Sequence, residues 1–118
     1  MTTEPKTIGL RQEPGGWVFT LPAKLDGTIE ESLVPAVERA LASGSHLLVF
    51  DFSDVQYTSS AGVGAVVDSF RRAGARQAAL VLAGVSGQTR VVFDRVGLTR
   101  CLGVYDTVVA ALAAMEKK

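Results

Sequence analysis

Residues 46–52, "HLLVFDF", are apolar almost throughout, where a strand with one wet face would alternate. The run is far shorter than the ~20 residues needed to span a bilayer, and no other run approaches that length. An uninterrupted strand of this kind is covered on both faces, which requires helices on either side of a parallel sheet. It reads as the central strand, and the rest of the chain has to supply those layers.

The flanking segments do so. "TIGLRQE" and "WVFTL" lie either side of Pro14-Gly15-Gly16 and read as an antiparallel hairpin. In its second strand Trp17, Phe19 and Leu21 alternate, which sends one face into the core. Leu33, Val37, Ala40 and Leu41 then keep helical spacing up to a capping Gly44. Thr28 with Glu31 resembles a capping box, but Pro35 would then fall inside the helix, so a start near Ser32 is expected. After the central strand, Val63, Val66, Val67 and Phe70 mark the buried face of a second helix, with Asp68, Arg71 and Arg72 turned away and Gly74 at its end. "QAALVLAGV" is another buried strand. A short helix capped by Ser86 runs to about Val96, with Gly97 after it. A strand around "CLGVY" precedes a last helix carrying Val108, Val109, Leu112 and Met115, whose negative end suits Lys117 and Lys118. The expected class is α/β: one domain over residues 1–118 with a core of about 8–115, a mostly parallel sheet, an opening antiparallel hairpin and about four helices.

Composition narrows the function. With 118 residues, 47% hydrophobic and 20% charged, the chain is long and apolar enough to fold alone. Twelve basic residues balance twelve acidic ones without clustering, so no nucleic-acid partner and no membrane insertion are expected. The start, "MTTEPKTIGL", lacks a signal-peptide pattern, and a cytoplasmic location follows as the expectation. Cys101, the one cysteine, sits in the apolar context "RCLGVY" and reads as a buried structural thiol. His46, the one histidine, reads as a strand-edge residue and gives no catalytic partner for a serine.

In such sheets ligands bind beyond the carboxyl ends of the strands. That edge receives Asp26, Asp51, Asp54 and the loop "TSSAGVG", from Thr58 to Gly64. Ser59 or Ser60 suits the helix N-cap, accepting a backbone N–H that has no partner within the helix. The same helix end favours an anion by about 0.3–1 kcal/mol, so a phosphoserine is tolerated there. Gly62 and Gly64 each cost the helix about 0.8–1 kcal/mol relative to alanine, which a close approach by another backbone or a partner would explain. The loop matches neither G-x-S-x-G nor a phosphate loop followed by Gly-Lys-Ser/Thr, so no catalytic residue is assigned. The three aspartates are a conceivable Mg²⁺ set but fit solvated loop caps better, and no metal or cofactor is assigned.

Strand "LLVFDFSDVQY", then "TSSAGVG", an amphipathic helix and "AALVLAGVSGQTRVVFDRVGLTRCLGVYDTVVAAL" together resemble the STAS domain of bacterial anti-sigma factor antagonists. "AKLDGTIEESL" is similar to that family's Gly-x-Leu-Asp region, with Ala23 where glycine is usual. The resemblance runs from about Ile8 to Met115. It implies a non-enzymatic partner-switch protein that binds an anti-sigma factor with serine kinase activity, frees a sigma factor and is reversed by phosphorylation. The family's phosphorylated pattern reads Asp-Ser-Ser/Thr-Gly-Leu-Gly, which puts Ala61 at the acceptor position and Ser59 at the aspartate position. Ser60, then Ser59, are the candidate acceptors, Ser60 by a one-residue shift of the loop. Residues Thr58, Ser59, Ser60, Ala61, Gly62, Val63 and Gly64 form the candidate docking loop, supported by the acidic edge of Asp26 and Asp51. Two other functions stay open: an accessory subunit of a lipid transport complex, and a small nucleotide-dependent phosphoryl-transfer enzyme built on Asp26, Asp51 and Ser60. The oligomeric state is left open.

Overall fold

The computed structural model describes residues 8–116, with side chains described through residue 114. Expectations placed on Thr7, the Met115 side chain, Lys117 and Lys118 lie outside the described residues. Strands β1 (Gly9–Glu13) and β2 (Gly16–Thr20) form the expected antiparallel hairpin, in register Gly9↔Thr20 to Glu13↔Gly16. Beyond β2 the sheet is parallel. It continues through β4 (Leu47–Asp51) and β6 (Ala79–Ala83) to the short β7 (Val104–Tyr105), in the order β1-β2-β4-β6-β7. Two further short strands, β3 (Lys24–Leu25) and β5 (Tyr57–Thr58), pair in parallel as a separate ribbon.

The helices are α1 (Glu30–Ala42), α2 (Ser60–Ala75), α3 (Gly87–Arg95), the single turn α4 (Leu98–Cys101) and α5 (Val108–Glu116). Alternate residues of β4 go to opposite layers. Leu48 and Phe50 enter the larger core with Phe19, Phe52 and Phe93, where the Phe19 and Phe50 rings lie 5.1 Å apart. Leu47 and Val49 meet Val18, Val81 and Ala111 of α5 on the other face. Each such valine, leucine or phenylalanine side chain, fully buried, stabilises the fold by about 1.5–3 kcal/mol. The apolar run at 46–52 is thus explained: β4 has no wet face.

Several local expectations are corrected. Helix α1 begins at Glu30, preceded by a 3-10 turn over Gly27–Ile29, rather than near Ser32. Asp26 caps that turn, accepting from the Thr28 N–H at 3.0 Å and its hydroxyl at 2.7 Å. Pro35 is tolerated inside α1 because it and Glu31, whose carbonyl it cannot serve, lie on the exposed face where water substitutes. In β2 the alternation of Trp17, Phe19 and Leu21 is incomplete as a description, since Val18 is buried on the opposite face and Trp17 only half-buried, its Nε1–H donating to Ser43 Oγ at 3.0 Å.

The buried face of α2 is rotated from the valine stripe. Gly62, Ala65, Val66, Ser69 and Ala73 face inward, Val63 and Val67 are half-buried, and Phe70 is 37% exposed. Small residues are needed on that face because α2 packs closely on β3, α1 and the sheet. Gly74 does not end α2, which runs to Ala75. Cys101 is exposed, because Leu98 and Leu102 take the inward positions of that turn, and Leu98–Cys101 is helical rather than the start of a strand.

Candidate functional site

The loop that carries the hydroxyls is built from its neighbours' backbones. At the end of β4, Asp51 Oδ1 accepts from Ser53 N–H at 3.0 Å and from Ser53 Oγ at 2.6 Å, turning the chain out of the sheet. The N–H groups of Gln56 and Tyr57 then donate to the Ala23 carbonyl at 2.8 and 3.2 Å, and Ser59 N–H donates to the Leu25 carbonyl at 2.9 Å. The β3–β5 ribbon therefore seats the loop on the segment that ends in Asp26.

Ser59 is the N-cap of α2. Its backbone is extended, at φ −87° and ψ 172°, and its Oγ accepts from Gly62 N–H at 3.1 Å. The same hydroxyl lies 3.4 Å from the Leu25 carbonyl oxygen, so it is occupied on both sides. Ser60, the first residue of the helix, is exposed, and its hydroxyl makes no hydrogen bond among the described residues. No acidic side chain stands in the first turn of α2, which leaves the partial positive charge of that helix end uncompensated from within the helix.

The two glycines differ. A Cβ on Gly62 would strike the Leu25 carbonyl oxygen and lie 2.7 Å from the carbonyl carbon, so only glycine fits. A Cβ on Gly64 would meet nothing within 4 Å. Gly62 is a packing requirement, whereas Gly64 has no internal reason to be glycine. Ala61 is exposed beside the 3-10 turn, where a Cβ on Gly27 would stand 3.3 Å from its own.

The predicted loop thus divides. Ser60, Ala61 and Gly64 face solvent, with Ser59 and Val63 half-buried, while Thr58 and Gly62 are buried and lie out of a partner's reach. Asp26 adjoins the loop through its turn, and Asp51 shapes the loop's exit from β4. Among the described residues, no three His, Cys, Asp or Glu side chains converge as a metal-ligand group. His46, exposed, lies with Trp17, Glu13 and Ser43 along a cleft of about 260 Å³ at the amino ends of β2 and β4, the opposite edge of the sheet. On the far side of α2, Arg72 donates to Asp68 at 2.8 Å and to Glu38 of α1 at 2.9 Å, hydrogen bonds that raise the guanidinium pKa above its ordinary value.

Sequence reasoning missed the β3–β5 ribbon and two residues of α3. Gln88 Oε1 accepts from Thr58 N–H at 3.0 Å and Gln88 Nε2 donates to the Thr58 carbonyl at 3.0 Å, while the Thr58 and Thr89 hydroxyls lie 2.8 Å apart. No spacing in the sequence signals contacts made across that separation.

The family model of the STAS domain matches residues 7–111. No curated protein matches the chain. Among solved structures, the chain is similar to an anti-sigma factor antagonist from Mycobacterium paratuberculosis, with 22% identity over 93% of each chain and a TM-score of 0.82. It is also similar to the Bacillus cell fate determinant SpoIIAA in its phosphorylated form, with 23% identity over 92% of this chain and 98% of that one and a TM-score of 0.72. A sulfate transporter family protein from Wolinella succinogenes shares the fold as well, at 18% identity, 85% and 84% coverage and a TM-score of 0.76.

Proposed function

The chain belongs to the STAS domain family, and from that premise we propose that it is a non-enzymatic, cytoplasmic anti-sigma factor antagonist whose serine loop docks an anti-sigma factor with serine kinase activity. The observation that carries the reading is the open surface at the start of α2. Ser60 offers an exposed, unengaged hydroxyl beside Ala61 and a Gly64 that no internal contact demands. Ser60 is the preferred acceptor, because the Ser59 hydroxyl is already used as the helix cap. A phosphate on Ser60 would place about −1.5 to −2 charges in the docking surface, where the helix end tolerates them within the chain and a close-packed partner does not.

The test is capture of tagged protein from its host, followed by quantitative binding to the partner recovered. The expected partner is an anti-sigma factor kinase, with phosphate mapped to Ser60, and both Ser60→Asp and Ala61→Glu should abolish binding while circular dichroism is unchanged. Full binding by Ala61→Glu would overturn the docking assignment. Recovery of transporter subunits instead would keep the fold and replace the function, a reading to which the transporter-family likeness lends support only at the level of fold.

A further inference from the structure

Strand β5 has two edges, and only one of them is paired with a strand. Tyr57 and Ser59 turn their N–H groups to β3, as Thr58 turns its N–H and C=O the other way. In a wider sheet another strand would meet them. Here the side-chain amide of Gln88 does so, accepting and donating at 3.0 Å on each side, as a peptide group would. One residue further, the Thr89 hydroxyl meets that of Thr58 at 2.8 Å, and both threonines are only 1% exposed. The first turn of α3 therefore grips the backbone and side chain of Thr58, two residues before Ser60.

We propose that Gln88 is the positioning residue of the serine loop, the group that fixes the start of α2 and with it the pose of the Ser60 hydroxyl. Without the amide, the inner edge of β5 keeps no backbone hydrogen-bond partner at Thr58, and the hydrogen bonds left to β5 are those to the β3 segment and the threonine pair. The loop then samples several conformations, and the fraction in the pose seen here falls. Because this role is a property of the free chain, it is separable from the docking function on which its biological meaning rests.

The test uses the full chain with Gln88→Met, which keeps the length of the side chain and removes both hydrogen bonds, and with Gln88→Ala. Amide hydrogen exchange followed by NMR should show Thr58 protection falling at least ~10-fold in both, while Val49 of β4 and Val81 of β6 keep theirs. A second readout places Ser60→Cys in a Cys101→Ser background and measures the pH dependence of its reaction with an aromatic disulfide. A thiol at a formed helix start titrates below the ordinary value of about 8.5, and adding Gln88→Met should move the midpoint back up. Unchanged Thr58 protection, or an unchanged midpoint, would overturn the proposal, as would an equal loss of protection at Val49 and Val81, which would make Gln88 a general stability residue. Failure of the wild-type chain to bind any anti-sigma factor kinase would overturn the proposed function while leaving these two readouts to decide the role of Gln88.

Discussion

Gly62 and Gly64, with only Val63 between them, carry opposite instructions. Replacing Gly62 with alanine forces a methyl into the Leu25 carbonyl and should destabilise the fold by about 1–3 kcal/mol, despite alanine's better helix propensity. Replacing Gly64 should stabilise it by about 0.5–1 kcal/mol, since the new methyl meets only solvent. Urea unfolding of the two variants checks both signs, and partner binding should be weakened by Gly64→Ala although the protein is firmer. The sequence marks both glycines as costly in a helix. It does not reveal which is dictated by packing, because that depends on the Leu25 backbone, brought against α2 by a ribbon too short to leave a pattern. Ser59 and Ser60 are similar: a cap was legible in the residue types, but which hydroxyl caps and which stays open is decided by φ and ψ at Ser59.

Among elements, α2 shows how a helix can be read correctly as a helix and incorrectly as a face. Its valines suggest one buried stripe, yet close packing on β3 and α1 sets Gly62, Ala65, Ser69 and Ala73 inward beside Val66, and leaves Val63 and Val67 half-buried and Phe70 at the surface. The end of α2 also departs from expectation. The chain turns at Gln77, the one described non-glycine residue with positive φ, at 59°. Its N–H donates to the Gly74 carbonyl and that of Ala78 to the Ala73 carbonyl, an arrangement that favours glycine at this position. Gln77→Gly should accordingly raise stability by about 1 kcal/mol, seen in a thermal scan as a rise in Tm of about 4 °C. The Arg72 contacts to Asp68 and Glu38 tie α1 to α2, but these exposed groups are screened by solvent and set alignment more than stability.

At the scale of the molecule, the layered α/β plan was legible because it rests on strong signals: a continuous apolar strand, a hairpin turn and helical spacing between strands. One layer is thin, since among the described residues α5 is the one helix that packs on the second face of the sheet. A chain ending at Asp106 would leave Val18, Leu47, Val49, Val81 and Ala83 open as an apolar patch. Such a chain should fail to fold as a monomer, with gel filtration showing aggregates and circular dichroism showing lost structure, whereas Val109→Ser at an exposed position of α5 should be neutral.

The segments that hold the serine loop come from three parts of the chain: Ala23 to Asp26, Asp51 to Gly64, and Gln88 with Thr89. A nascent chain that has reached Gly64 already possesses every hydroxyl of the loop, yet it has no α3 to grip Thr58. On the proposal that Gln88 fixes this loop, the pose of Ser60 reports that the chain has been made at least through the start of α3, which its hydroxyls alone do not report.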